Sequence, residues 1–259
     1  MRRITIATVA ALLVMFLAMC GSAQAGQSWN EFFAQWWAEN NGDEPLPWWA
    51  TPEGQAENEA RELEMALAKK LKEAVRANDV AAVNKAVQDG APANVSLGNG
   101  CDLIDYAAQR GYTQVFSILM DAGADVGLNA NGAAYWPLSY AAYNGHLDIV
   151  QILLSRAPRL AGVGDVCGYT IHRAVKRGHA DIVRALLDTG EYPSYMSSTG
   201  LTPLDMAECT GQTQIAKMVR DAGGIRRSEL GVPAGSLPLE VDCSLMSSTC
   251  ASSESTTCN

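Results

Sequence analysis

The amino-acid sequence predicts an all-α fold, a solenoid of about five stacked helical hairpins. Three observations within residues 66–224 predict it. A turn residue recurs every 33 or 34 residues, a small residue recurs twelve positions after each turn, and alanine recurs four positions before each turn. A period of this length is typical of proteins built from stacked supersecondary units. With 259 residues, the chain has room for one such domain and short extensions.

The first segment, residues 1–25, is predicted to be a signal peptide. Arg2 and Arg3 precede an apolar run, and Ala23 and Ala25 are small residues at the positions that a signal peptidase reads. The apolar run is shorter than the 20 or so residues that a membrane-spanning helix needs. We therefore expect export through a cleaved signal peptide, to the periplasm or the outside of a bacterial cell.

An alternative fate of the same segment is lipidation. The residues that end at Cys20 resemble a bacterial lipobox, but Met19 stands where that motif has Gly, Ala or Ser. We favour cleavage after Ala25 for this reason. A membrane contact is expected only if Cys20 is lipidated.

Residues 26–65 are predicted to form a Trp-rich amphipathic helix and a helical N-terminal cap. Ser28 and Glu31 have the spacing of a capping box. The aromatic residues of this segment follow helical spacing: Trp29, Phe32, Phe33, Trp36 and Trp37. A second helix is expected to begin at Thr51-Pro52 and to continue into the first repeat.

Three roles stay open for the aromatic helix. It can fold back, together with residues 45–49, over the repeats, or it can anchor a partner, because large exposed aromatic stripes mark interaction sites. Adsorption to an anionic membrane is the third role. It is disfavoured because the helix contains acidic residues and no basic ones, whereas surface-lying helices usually carry Lys and Arg.

Each predicted hairpin, within residues 66–224, has a turn between two helices. The turn residues are Asn78, Gly111, Gly145, Gly178 and Gly211. The second helix is expected to bury its fourth and eighth positions, which are Ala82, Val115, Ile149, Ile182, Ile215, Ala86, Leu119, Leu153, Leu186 and Val219. The first helix repeats an apolar residue seven positions before the turn, at Leu71, Ile104, Leu138, Ile171 and Leu204. Its recurring alanines, at Ala74, Ala107, Ala141, Ala174 and Ala207, predict close approach of two backbones.

The last segment, residues 225–259, is predicted to be a flexible tail rich in Ser, Thr and Cys. Six cysteines follow the predicted cleavage site: Cys101, Cys167, Cys209, Cys243, Cys250 and Cys258. In an exported chain they permit disulfides, and the pairing stays open, including a bond between two chains. Cys101 and Cys167 lie two repeats apart, too far to pair with each other, and we expect thiols there.

The repeats resemble ankyrin repeats. The family signature Gly-x-Thr-Pro-Leu-His-x-Ala-Ala is best matched by residues 200–208, and its second half is matched by residues 141–150 and 178–183. The resemblance implies two helices per repeat, short β-hairpin tips between repeats, and a concave face of first helices and tips that binds another protein.

Several functional classes are excluded by composition and spacing. The net charge of −9 argues against a nucleic-acid partner, because such proteins cluster Lys and Arg. The three histidines lie near no cysteine pair with metal-ligand spacing, so no metal or cofactor is expected. Asp105, Ser139 and His172 occupy the same site of successive repeats, which offers no catalytic triad. The chain is therefore predicted not to be an enzyme.

The resemblance also selects candidate partner-binding residues, which precede each turn or lie in the tips. They are Gln109, Arg110, Tyr135, Trp136, Tyr143, Asn144, Tyr169, Arg173, Lys176, Arg177 and Tyr195. Tyr, Trp and Arg often dominate binding energy. The basic residues among them form a local strip that suits an acidic segment of a partner.

The sequence thus predicts an exported, non-catalytic protein-protein interaction module that binds its partner on the concave face. One alternative is an exported scaffold with a redox or anchoring role carried by its terminal cysteines. Another is a secreted effector that acts on a host protein.

Overall fold

A computed structural model describes residues 29–41, 45–98, 101–126, 136–156, 164–165, 168–190, 193–197 and 200–231. The predicted signal peptide and the tail from residue 232 onward lie outside these ranges. The chain divides into two compact units, Met1–Leu63 and Glu64–Asn259.

The first unit holds helix α1 (Trp29–Asn41), a 3-10 turn (Trp48–Ala50) and the beginning of helix α2 (Pro52–Arg76). Proline is tolerated at the first helical position because its missing N–H would have no partner there. The Thr51 hydroxyl accepts a hydrogen bond from the Gly54 amide at 3.1 Å and so caps the helix. The helix begins where the Thr51-Pro52 pair predicted.

The second unit continues α2 and consists of helices connected in pairs. The remaining helices are α3 (Val80–Gln88), α4 (Leu103–Arg110), α5 (Thr113–Asp121), α6 (Trp136–Asn144), α7 (Leu147–Arg156), α8 (Thr170–Arg177), α9 (Ala180–Asp188), α10 (Pro203–Cys209) and α11 (Thr213–Asp221). A 3-10 turn follows at Arg227–Glu229.

These helices form two rows. In one row α4, α6, α8 and α10 contact one another in that order, and in the other row α3, α5, α7, α9 and α11 do the same. The two helices of each pair also contact each other from α4–α5 onward. A helix therefore buries its apolar stripe against its own pair and the neighbouring pairs, as in a solenoid.

The turn between paired helices has the same geometry each time. Its φ is +53° at Asn78, +72° at Gly111, +84° at Gly145, +78° at Gly178 and +69° at Gly211. The amide of the next residue donates to the carbonyl of the recurring alanine, for example Tyr112 to Ala107 at 2.9 Å. This bond is that of a Schellman motif, which requires a left-handed residue and so favours glycine. The predicted turns are confirmed.

The predicted apolar positions form one continuous core. All of the recurring leucines, isoleucines, valines and alanines named for the two helices are buried except Ala82, which is half-buried. Burial of a leucine or isoleucine side chain contributes about 1.5–3 kcal/mol, so the stacked interior is the main source of stability.

Two of the tips are described as short antiparallel hairpins. Strand β1 (Ser96–Gly98) pairs with β2 (Cys101–Asp102), and Gly98 lies opposite Cys101. Strand β3 (Gly164–Asp165) pairs with β4 (Gly168–Tyr169), and Gly164 lies opposite Tyr169. Residues 127–135, where a further tip was predicted, lie outside the described residues.

The predicted start of the tail at residue 225 is too early. Arg227 is only 8% exposed, and its amide donates to Asp205 Oδ2 at 3.1 Å. The Ile225 amide donates to the Ser194 hydroxyl at 3.1 Å, and Arg226 donates to Glu208 at 2.7 and 2.8 Å. Residues 224–231 therefore form an ordered C-terminal segment that packs on the last helical pair.

Candidate functional site

The first-helix surface is defined here by the residues that precede the turns on α4, α6 and α8. Arg110, Asn144 and Arg177 are exposed, while Gln109, Tyr143 and Lys176 are half-buried. Because α4, α6 and α8 pack side by side, the structure brings these predicted residues together along one row.

Two cation–π contacts order the arginines of this surface. The guanidinium carbon of Arg177 lies 4.7 Å from the centroid of the Tyr143 ring, which belongs to the preceding helix of the row. The guanidinium carbon of Arg110 lies 5.2 Å from the Tyr106 ring of its own helix. Such contacts stabilise by about 0.5–1 kcal/mol at exposed sites and restrict the positions of the charges.

Histidines from the following pair support the backbone of this surface. His146 Nε2 donates to the Gln109 carbonyl at 3.1 Å, and His179 Nε2 donates to the Tyr143 carbonyl at 3.1 Å. A carbonyl oxygen can only accept, so both rings carry a proton on Nε2. The residues that present Gln109 and Tyr143 are therefore tied to the neighbouring layer.

Other predicted binding residues are placed differently. Arg173 is only 7% exposed, so it belongs to the interior and not to the exposed basic strip. Tyr195 is half-buried near the last pair. Tyr135 and the side chains of Trp136 and Tyr169 lie outside the described residues.

Tyr106 was not predicted as part of this surface. Its ring packs beneath Arg110 and makes an edge contact with Tyr112 at a centroid distance of 6.1 Å. Tyr106 and Arg110 are four residues apart on α4, so the i, i+4 spacing was the available signal. The ring is mostly buried, and its role is to position the arginine.

Asp105 is the buried carboxyl of α4. Burial raises its pKa to about 7, the hydrogen bond from the Asp102 amide lowers it, and the charges of Asp102 and Asp125 raise it again. The Asp102 amide donates to Asp105 Oδ2 at 2.9 Å. The carboxyl stabilises the start of its helix.

The residues at this position of the repeat do not form a reactive cluster. Asp105, Ser139, His172 and Asp205 lie on α4, α6, α8 and α10, one on each layer. His172 Nε2 donates to the Leu201 carbonyl at 3.2 Å, which links α8 to the next tip. Within the described ranges, no group of three or more His, Cys, Asp or Glu residues could hold a metal ion.

Two cysteines of the described residues take part in disulfide bonds. Cys101 and Cys209 are each disulfide-bonded. Cys101 lies just before α4, and Cys209 is the last residue of α10, three layers further along the same row. At about 8–10 Å per layer the two cysteines are on the order of 30 Å apart, so they do not bond to each other. Their partners lie outside the described residues. The expectation of a thiol at Cys101 is therefore wrong.

A groove of about 490 Å³ lies between α2 and α3 in the second unit. Its lining combines alanines, among them Ala74, Ala82 and Ala86, with charged residues of both signs such as Lys70 and Glu73. No sequence signal selected it, and we assign no ligand to it. None of the described helices is both long and apolar enough to cross a membrane.

Comparison with known proteins matches this geometry. Residues 71–166 match the family model described as ankyrin repeats, with three copies. Residues 71–166 are thus similar to ankyrin repeats. Ankyrin-repeat families are typically non-catalytic, and their repeats generally mediate protein–protein interaction.

Viral and eukaryotic proteins are among those similar to this segment. The putative ankyrin repeat protein FPV223 of Fowlpox virus is 28% identical over 123 residues, which is 48% of this chain and 85% of that protein. The mitochondrial disaggregase of Bos taurus is 29% identical over 155 residues, 58% of this chain and 22% of that protein. The ankyrin repeat protein nuc-2 of Neurospora crassa is 28% identical over 134 residues, 47% of this chain and 13% of that protein. The chain thus spans a small part of the last two.

Proposed function

We propose that this chain is a non-catalytic binding module that holds an acidic segment of a partner protein on the first-helix surface. The observation that carries the proposal is the stacking of Arg177 on Tyr143, beside Lys176 and in the same row as Arg110. The chain has a net charge of −9, so this local basic strip contrasts with the rest of the molecule. An acidic partner is attracted to such a strip, and its binding weakens as salt rises.

Rigid presentation is the proposed mechanism. The bonds from His146 and His179 and the stacked arginines order the surface before a partner arrives. Less side-chain and backbone freedom is then lost on binding, which favours affinity. We extend the similarity to ankyrin repeats beyond the three matched copies to five repeats, because the turn geometry recurs from Asn78 to Gly211. The part of α2 before residue 66 is then the N-terminal cap.

Export is the second part of the proposal. We infer from the residues around Arg2, Arg3, Ala23 and Ala25 that the chain leaves the cytoplasm of a bacterial cell by a cleaved signal peptide and acts in the periplasm or outside the cell. The disulfides at Cys101 and Cys209 favour an oxidising compartment. A second function, in which the terminal cysteines anchor the scaffold to another chain, stays a prediction from the sequence alone.

Partner capture tests the binding surface. The variant Lys176→Glu plus Tyr143→Ala reverses one charge and removes the ring beneath Arg177. We expect it to recover a partner from an envelope extract at least about tenfold less well than wild type. The control Lys217→Glu changes the same charge on α11, in the other row, and is expected to behave as wild type. Equal recovery of every partner by the double variant would contradict the proposal.

A further inference from the structure

Two tryptophans of the first unit are exposed side by side. The side chains of Trp48 and Trp49 are 52% and 53% exposed. Indole rings bury large areas and dominate the energetics of many interfaces. Their neighbour Phe33 is buried, so its ring is covered while the two indole rings are largely open to solvent.

The exposed pair is held in a fixed position. The Trp49 ring packs on Phe33 of α1 at a centroid distance of 4.9 Å. The Thr51 hydroxyl donates to the Trp48 carbonyl at 2.8 Å, and the Gln55 side chain donates to the Ala50 carbonyl at 3.0 Å. These contacts order the 3-10 turn, so exposure of the two rings is a feature of the folded unit.

Gly54 brings this turn against the start of α2. A Cβ on Gly54 would lie 1.9 Å from the Trp48 carbonyl oxygen, so a glycine is needed for the backbones to approach this closely. Glu53 is adjacent to Gly54, and Glu57 lies one helical turn later on the same side. Both glutamates are exposed. Two exposed carboxylates therefore lie on the first helical turns that follow the tryptophans along the chain.

Along the chain, the residues that flank the pair carry charge of one sign. Residues 26–60 contain seven acidic residues and no Lys, Arg or His. The nearest basic residue along the chain is Arg61, whose guanidinium donates to the Asn58 side chain. An anionic lipid surface or a second copy of this acidic unit would be repelled, whereas a cationic ligand would be attracted.

We propose that Trp48, Trp49, Glu53 and Glu57 form a docking surface for a cationic segment of a partner protein that also carries apolar side chains. Apolar side chains cover the indole rings and remove them from water. Lysines or arginines pair with the carboxylates and also favour the faces of the rings. This surface shares no residue with the first-helix surface and selects the opposite charge.

Titration of the full chain with a fluorescently labelled amphipathic peptide of Lys and Leu tests the proposal. The measured quantity is the dissociation constant from fluorescence anisotropy. Trp48→Ala plus Trp49→Ala is expected to weaken binding at least about tenfold. Glu53→Gln plus Glu57→Gln is expected to weaken it severalfold at low salt and less at high salt.

Matched controls separate the surface from general properties of the chain. Met196→Ala removes an exposed apolar side chain of the second unit, and Asp148→Asn plus Asp181→Asn removes two exposed carboxylates there. Both are expected to bind as wild type does. The variant Lys176→Glu plus Tyr143→Ala is also expected to keep peptide binding, so failure of the first-helix proposal is distinguishable from failure of this one. Far-UV circular dichroism checks that helix content is unchanged.

Three results would overturn the proposal. One is equal affinity of wild type and the tryptophan variant for the Lys and Leu peptide. Another is equally tight binding of a Glu and Leu peptide. The third is self-association or binding to phosphatidylcholine vesicles that the tryptophan variant loses while peptide affinity stays unchanged.

Discussion

Two aspartates at the same position of different repeats have different surroundings. Asp105 Oδ2 accepts from the Asp102 amide, and burial raises its pKa to about 7. Asp205 Oδ2 accepts from the Thr202 amide at 3.0 Å, the Thr202 hydroxyl at 2.9 Å and the Arg227 amide at 3.1 Å. Three donors compensate the Asp205 carboxyl for its lost hydration, so the same residue type caps two helices with different hydrogen-bond partners.

The pH dependence of stability tests the state of Asp105. Its pKa is raised from 3.8 to about 7, so the stability that it contributes is complete below about pH 4 and is lost as pH rises through 7. Asp105→Asn keeps an acceptor for the Asp102 amide and cannot ionise. We expect the difference in free energy of unfolding between this variant and wild type to rise by roughly 2 kcal/mol from pH 5 to pH 8, because only wild type loses stability as the Asp105 carboxyl ionises.

Urea unfolding at both pH values measures this difference. Asp205→Asn is the matched control, because it makes the same change at the same position of another repeat, where three donors converge on one oxygen. A neutral amide oxygen is a weaker acceptor for these donors. The control is expected to lower the free energy of unfolding by about 1–3 kcal/mol. A constant difference between Asp105→Asn and wild type across this pH range would show that the Asp105 carboxyl does not titrate there.

Between neighbouring helical pairs, a ring from one turn packs on the glycine of the previous turn. A Cβ on Gly111 would lie 2.6 Å from the His146 ring, and a Cβ on Gly145 would lie 2.7 Å from the His179 ring. Between the last two helical pairs Gln212 takes the place of the histidine, and its Nε2 would lie 3.6 Å from a Cβ on Gly178. The buried Gln212 Oε1 has no hydrogen-bond partner within the described part of the chain. The hydrogen bonding of this interface is therefore less complete than at the two interfaces that contain histidine.

Alanine substitution of two turn glycines separates this packing from backbone strain. Gly111→Ala has both a positive φ and a clash with His146, whereas Gly211→Ala has a positive φ and nothing within 4 Å of the added Cβ. We expect a loss of about 1 kcal/mol for Gly211→Ala and a clearly larger loss for Gly111→Ala in thermal or urea unfolding. Equal losses would mean that the histidine ring moves aside without cost.

At the scale of the whole repeat domain, the main contacts of each described helix are with its own pair and the adjacent pairs. The free energy of unfolding is then close to a sum of one contribution from each helical pair and one from each interface between pairs, and unfolding can begin at an end. The C-terminal segment opposes this at one end, because Arg226 and Arg220 both donate to Glu208 on α10. These arginines lower the pKa of Glu208, mainly through the Arg226 hydrogen bond.

Leu138→Ala and Leu204→Ala test this arrangement, because both leucines are fully buried at the same position of α6 and α10. Each is expected to cost about 2–5 kcal/mol of local stability. In hydrogen exchange, Leu204→Ala should reduce protection in α10, α11 and the C-terminal segment alone. Leu138→Ala, in an interior pair, should reduce protection in the pairs on both sides. If both variants reduced hydrogen-exchange protection in the same helices, the stabilities of the helical pairs would not be additive.

The sequence by itself determined the helical pairs, their turns and their core, because helical periodicity and left-handed glycines are local signals repeated in each pair. It also selected the first-helix surface through the residues before each turn. It misplaced Arg173, missed Tyr106 beneath Arg110 and ended the ordered part before Arg227. Only the tertiary structure decided these points, because the partner of a side chain depends on which layer lies against it. Exposure of Trp48 and Trp49 is of the same kind, since it depends on which other segments of the chain pack against the 3-10 turn.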